Sequence, residues 1–297
     1  NSIPNGFDIY VAIGSGTIND IVKFASHRMG KPYIVFATAA SMNGYASANC
    51  SLLDGNYKKS FYAACPREIF MDLDVIEKAP KRLTSAGIAD SYCRQLCEND
   101  NILANAVRGD EYFHALFRLI EKYEDLMFDD IEALCKTLIF GGVAMFVARS
   151  SVPASGAEHM IAHYMELMQP TAPHSLHGHQ IAVCSIAIAK LQADIIRNKK
   201  FNFKQLDEGL IRTQFANTNQ ADYFLKESRA KFSSLNSIHI DHAVFELQEP
   251  EIMEEKFKTL GLPTTPNAIG WKPEIFEQAL QFASFTRNRI TFLDFAI

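Results

Sequence analysis

Asp8-Ile9-Tyr10-Val11-Ala12-Ile13-Gly14-Ser15-Gly16-Thr17 is the stretch that decides the fold. An apolar run of strand length stops at a glycine-bracketed turn, and Ile18, Ile21, Val22 and Ala25 then recur at helical spacing. Strand, tight turn and helix in that order predict a parallel crossover, because parallel neighbours need a connection long enough to hold a helix. Residues 32–38 supply a second buried strand and residues 67–76 a third. From Lys81 onward the period changes to 3.6 residues and strong strand runs stop. The spacing predicts helices over 83–97, 111–126, 130–149, 155–168, 178–197, 203–215, 221–231, 250–260 and 273–286, punctuated by Pro153, Pro170, Pro173 and Pro263. The expected organisation is an α/β part over 1–81 and an all-helical part over 82–297, with a ligand cleft between them.

Composition sets the class. A chain of 297 residues, 48% hydrophobic and 21% charged, builds a large core and has no room for a long disordered tract. A net charge of -5 argues against a general nucleic-acid binder. The six cysteines form no disulfide framework, which points to a reducing cytoplasm; Cys93 and Cys97, four apart, are read as small buried apolar residues without chemistry. The longest apolar run, 137–148, falls short of the ~20 residues a membrane helix needs and reads as a core helix. The first residues lack both the pattern of a signal peptide and an initiating Met, so further residues are expected before Asn1 in the natural protein.

Three places offer chemistry. Gly14-Ser15-Gly16-Thr17 lets backbone amides and a helix amino terminus approach a phosphate. It lacks the third glycine of the dinucleotide fingerprint and the Lys-Ser/Thr ending of a triphosphate loop, so a bare turn is an equal reading. The hydroxyl-rich stretch from Thr38 through Ser41, Asn43 and Gly44 to Ser47 follows the second strand, where open parallel sheets bind ligands; helix capping is its alternative. Five of the nine histidines, His159, His163, His174, His177 and His179, fall within 159–179. His159 and His163 share a helix face and His177 opens the next helix, so imidazoles from neighbouring helices can meet at one ion such as Zn, Fe or Ni; structural histidines are the alternative. Such an ion needs a carboxylate as well, and Asp90, in the small-residue run Ser85-Ala86-Gly87-Ile88-Ala89-Asp90, is a candidate, a capping role being the other reading.

Residues 14–23, 38–47, 85–90, 153–159, 177–178 and 287–294, in that order, resemble the glycerol-1-phosphate dehydrogenase family. That family lies within the superfamily of iron-containing alcohol dehydrogenases, glycerol dehydrogenases and dehydroquinate synthases. The resemblance implies a dehydroquinate synthase-like fold: a Rossmann-like cofactor part, here without the α/β stretch that relatives carry before the glycine turn, followed by an all-α metal-binding part. It implies that Asp90, His159 and His177 hold one divalent metal, His159 rather than His163 because the metal-binding His is the one followed four residues later by another. It further implies that Gly14, Gly16, Thr17 and Asp20 line the cofactor, and that Thr38, Ser41 and Ser47 complete the nicotinamide pocket. Asn43, where the family usually has Asp, and His163 are placed near the substrate; Ala89 stands where the family has Gly.

The function so implied is reduction of dihydroxyacetone phosphate to sn-glycerol-1-phosphate with NAD(H) or NADP(H) by a cytoplasmic homodimer or larger homo-oligomer, with no nucleic-acid partner and no membrane insertion. A related alcohol or polyol dehydrogenase, or a non-catalytic relative, are the alternatives. Lys23, His163, His174 and His242 are the candidates for holding the substrate phosphate.

Overall fold

The computed structural model describes residues 6–54, 57–235 and 240–295. Strand β1 (Tyr10–Gly14), helix α1 (Gly16–Arg28) and strand β2 (Tyr33–Ala37) form the expected parallel crossover. The pairing runs in register from Tyr10 opposite Tyr33 to Gly14 opposite Ala37. After the hairpin β3 (Asn49–Asp54) and β4 (Tyr57–Tyr62), strand β5 (Glu68–Phe70) joins β2 in parallel, giving the sheet order β1-β2-β5. One face of β1 packs inward through Tyr10 and Ala12, while Ile9, Val11 and Ile13 face outward and are exposed.

The rest is helical: α2 (Leu73–Glu77), α3 (Lys81–Tyr92), α4 (Arg94–Arg108), α5 (His114–Glu121), α6 (Ile131–Val147), α7 (Ala157–Met168), α8 (His177–Asn198), α9 (Glu208–Gln214), α10 (Ala221–Phe232), α11 (Pro250–Thr259) and α12 (Pro273–Phe282). Among the described residues no named strand follows β5. Helix α8 is long and apolar enough to cross a membrane, but 78% of its apolar window is buried against α3, α7 and α11, which makes it the central core helix.

Several boundaries differ from those the sequence predicts. The third strand ends at Phe70, because Asp72 accepts a hydrogen bond from the Val75 amide and caps α2 inside the stretch read as extended. The hairpin at 49–62 was given no element. The helix expected over 83–97 is two helices that meet at Cys93; α4 then runs on to Gly109, whose φ of 78° provides a left-handed stop. A one-residue break leaves the 3.6-residue period on either side intact, so periodicity does not report it. Helix α5 is shorter than the expected 111–126. Helix α9 begins at Glu208, where Asp207 caps it, rather than at Phe203, which instead bridges to Phe295.

Two close approaches bring the parts of the site together. An ideal Cβ on Gly87 of α3 would lie 2.1 Å from the carbonyl oxygen of Ala40, and one on Gly178 of α8 would lie 1.9 Å from that of Ala86. Only glycine permits these contacts. They seat α3 against the segment after β2 on one side and against the start of α8 on the other.

Candidate metal centre and cofactor turn

Asp90 near the end of α3, His159 in the first turn of α7 and His177 at the first position of α8 converge. Their ligand atoms all lie within 4.8 Å of one another. Oδ1 of Asp90 is 3.5 Å from Nε2 of His159 and 3.6 Å from Nε2 of His177. The other carboxylate oxygen is already engaged: the Asn43 amide donates to Oδ2 at 2.9 Å, and the Asn43 side chain donates to the Asp90 carbonyl at 3.2 Å. Oδ1 is buried and has no hydrogen-bond donor of its own. A buried carboxylate oxygen left without a donor between two imidazole nitrogens is a set that could hold a divalent cation, and two nitrogens with one oxygen suit Zn, Fe or Ni. The set is graded in depth, with side-chain exposures of 2% for Asp90, 7% for His159 and 28% for His177, so His177 forms its outer rim.

Burial opposes ionisation of Asp90, but the close imidazole of His159 and the charges of His177 and His159 outweigh it and hold the carboxyl below its usual range. For His159, burial disfavours the cation, yet contacts with Asp90 and Glu158 push its pKa up to about 9. His163 lies one turn beyond, its ring stacked 6.4 Å from that of His177 and its Nδ1 3.3 Å from Glu166, beside the three ligands rather than among them. A narrow cavity lined by Asn43, Asp90, Ser91, Arg94 and Gly141 adjoins the carboxylate.

The start of α7 is clamped. The Ala157 amide donates to Oδ2 of Asp100 at 2.7 Å and the Gly156 amide to Oε1 of Glu158 at 2.7 Å, so two carboxylates satisfy amides that a helix start leaves open. Oδ1 of Asp100 accepts from the Phe292 amide at 2.9 Å. Asp294, two residues on, caps its own turn through the Thr291 amide and pairs at 2.6 Å with Lys231, which is fully buried. The carboxyl-terminal motif thus serves the site indirectly, by locking the helix that carries His159. Cys93 and Cys97 are buried as expected; their thiols donate to the Asp90 carbonyl and to Glu158, and burial pushes the Cys97 thiol well up.

On the other side, Gly16 and Thr17 open the 13-residue helix α1, with Thr17 exposed and Gly14 and Gly16 half-buried. Thr38 and Ser41, both half-buried, follow β2, and the Thr38 amide donates to the Gly14 carbonyl at 3.1 Å. Asp20 and Ser47 are tied to the hairpin: Asp20 accepts from the Ser51 amide at 2.9 Å, and the Ser47 hydroxyl, 2% exposed, donates to main-chain oxygens of Gly44 and Asn49. Lys23 is a correction to the sequence reading. It is fully buried, and its ammonium donates to the Gly44 carbonyl at 2.7 Å and the Asn49 carbonyl at 3.0 Å, a strut for the loop and not a surface cation for phosphate. His174 is exposed ahead of α8 and His242 is half-buried in a short turn at 242–244; neither is among the converging ligand atoms. Glu158 lies within the stretch 153–159, of which the sequence reading names only His159. A carboxylate immediately before a metal-binding His was the available signal.

Residues 2–80 match the iron-containing alcohol dehydrogenase family. The glycerol-1-phosphate dehydrogenase [NAD(P)+] of Pyrococcus horikoshii is 37% identical over 61% of this chain and 55% of its own length. The protein of the same name from Geobacillus thermodenitrificans is 27% identical over 98% of this chain and 72% of its own length. The chain therefore spans between about half and about three quarters of these relatives. A probable glycerol dehydrogenase from Sinorhizobium meliloti has the same fold, with a TM-score of 0.62 at 16% identity over 97% of this chain and 72% of that one. An archaeal alcohol dehydrogenase from a Red Sea brine pool gives a TM-score of 0.60 at 14% identity, covering 96% of this chain and 74% of that one.

Proposed function

We propose that the chain is a member of the iron-containing alcohol dehydrogenase family, a metal-dependent NAD(P)H oxidoreductase interconverting dihydroxyacetone phosphate and sn-glycerol-1-phosphate. The observation that carries this reading is the convergence of Asp90 Oδ1, His159 Nε2 and His177 Nε2, with the oxygen buried and lacking a donor. When bound, a divalent ion supplies Lewis acidity for a carbonyl oxygen and a nicotinamide supplies hydride.

The residues of the chain do the rest. Asp90 with two neutral imidazoles would hold a dication with a single negative charge, so that the group held there would stay net positive. Asn43 holds Oδ2 of Asp90 by its amide and thereby turns Oδ1 inward. His177, on the rim, meets the substrate side, and His163 beside it is placed to bind the substrate. The amides of Gly16 and Thr17 at the start of α1 face the cofactor phosphates, where the helix dipole favours anions. Thr38 and Ser41 would border a bound nicotinamide, and Asp20 and Ser47 tie that wall to the hairpin. The division of labour falls near Lys81, with residues 1–81 for cofactor and 82–297 for metal and substrate. The protein acts in the cytoplasm as a homodimer or larger homo-oligomer, with Zn, Fe or Ni as its ion and either NAD(H) or NADP(H) as its cofactor.

A second reading, a small alcohol or polyol dehydrogenase whose substrate carries no phosphate, is favoured by the engagement of Lys23 within the fold. One experiment separates the two: NADH and NADPH oxidation by metal-loaded protein, including any natural residues before Asn1, with dihydroxyacetone phosphate and with dihydroxyacetone. Oxidation that requires the phosphate and is lost with a chelator supports the first reading. Equal rates on both substrates support the second, and silence on both with metal bound overturns the dehydrogenase proposal.

A further inference from the structure

We propose that Glu158 is the positioning residue of the metal centre, holding His159 by Nδ1 so that Nε2 is the nitrogen presented to the cation. Oε1 of Glu158 lies 2.6 Å from Nδ1 of His159, and both side chains are buried. An imidazole has one lone pair to give when neutral, and the hydrogen bond at one nitrogen decides which nitrogen gives it. A carboxylate accepts only, so it keeps the proton on Nδ1 and leaves the lone pair on Nε2, the atom that faces Asp90.

The carboxylate is itself fixed. Oε1 also accepts from the Gly156 amide at 2.7 Å and from the Cys97 thiol at 3.3 Å. Gly156 makes room for this carboxylate, since a Cβ there would lie 3.0 Å from Oε2. The other two histidines differ. Nδ1 of His177 faces the neutral Gln180 oxygen at 3.5 Å, and Nδ1 of His163 faces Glu166, which is partly exposed, at 3.3 Å. Among these three Nδ1 contacts, that of His159 is the shortest and has the most deeply buried partner.

This assignment rests on the metal reading above, and its test keeps the two apart. Wild type, Glu158→Gln and His177→Ala are stripped of metal, and zinc affinity is measured by competition with a chromophoric chelator; cobalt is then added and its visible absorption recorded. The amide of Glu158→Gln can donate to Nδ1 and so move the ring proton to Nε2. Zinc affinity is expected to fall about 10–100-fold, as for lost partners of ligating histidines, with altered cobalt bands while circular dichroism shows an intact helical fold. Unchanged zinc affinity and cobalt bands in folded Glu158→Gln overturn the assignment. Should that variant not fold, imidazole ¹⁵N shifts of zinc-loaded wild type decide: a protonated Nδ1 on His159 supports the proposal, and a zinc-bound Nδ1 overturns it. Failure of the metal reading looks different, because wild type then takes up neither zinc nor cobalt, or His177→Ala binds as well as wild type; either result overturns this assignment with it.

Discussion

The proposed metal centre and the turn at Gly14–Thr17 are built in opposite ways. The turn is a contiguous piece of backbone, its geometry set by two glycines and the start of α1, and it is half open to solvent. The metal centre takes one side chain from each of α3, α7 and α8, and each is held by further contacts: Asp90 by Asn43, His159 by Glu158, and His177 by the seat of Gly178 on Ala86. A site made of amides needs local geometry alone. A site made of side chains from distant positions needs the whole helical core to be correct, and it is correspondingly easier to break.

The largest break is at a ligand. His177→Ala is expected to leave no bound metal and to reduce turnover to background, checked by elemental analysis beside the reductase assay. Next comes the packing beneath it: Gly87→Ala forces a methyl against the Ala40 carbonyl and is expected to cost about 3 kcal/mol, seen as a lower urea midpoint, with weakened metal retention.

A third test uses pH. The pKa of His159 is raised to about 9 from an ordinary value near 6.5, so its charged form stabilises the metal-free fold fully below that ordinary value and the contribution is lost as pH rises through 9. Urea midpoints of the metal-free protein should therefore fall between pH 6.5 and 9, while zinc, which must displace that proton, should bind more tightly over the same interval. A flat midpoint across that range would remove the charged contact between His159 and its two carboxylates. The smallest effect is expected at the turn: Thr17→Ala should raise KM for the nicotinamide cofactor by a few-fold, about 1 kcal/mol, and leave stability unchanged, because Thr17 is exposed. A marked loss of stability there would mean that the turn depends on the core as the metal centre does.

Much of this was legible along the chain. The crossover from β1 through α1 to β2 follows from an apolar run, a glycine turn and a helical period. The crowding of histidines at 159–179 and the small-residue run before Asp90 pointed to stretches whose side chains do converge in the structure. What stayed hidden was hidden for physical reasons. Lys23 looks like any basic residue on an amphipathic helix, and its burial follows from the loop at 44–49 folding over it. Asp20 and Ser47 carry polar atoms suited to a ligand, yet the hairpin uses them. The break at Cys93 interrupts the helix without changing the hydrophobic period.

By itself the sequence determined the class of the protein, the parallel α/β beginning, the helical remainder and the residue types available for chemistry, because these depend on local periodicity, turn residues and composition. Only the tertiary structure decided which carboxylate oxygen faces the imidazoles, which nitrogen of His159 is held, and which cations are spent inside the fold. Those outcomes depend on contacts between segments far apart in the chain, such as Asn43 on Asp90 and Phe292 on Asp100, and no period or spacing along a sequence encodes the direction in which a buried side chain turns.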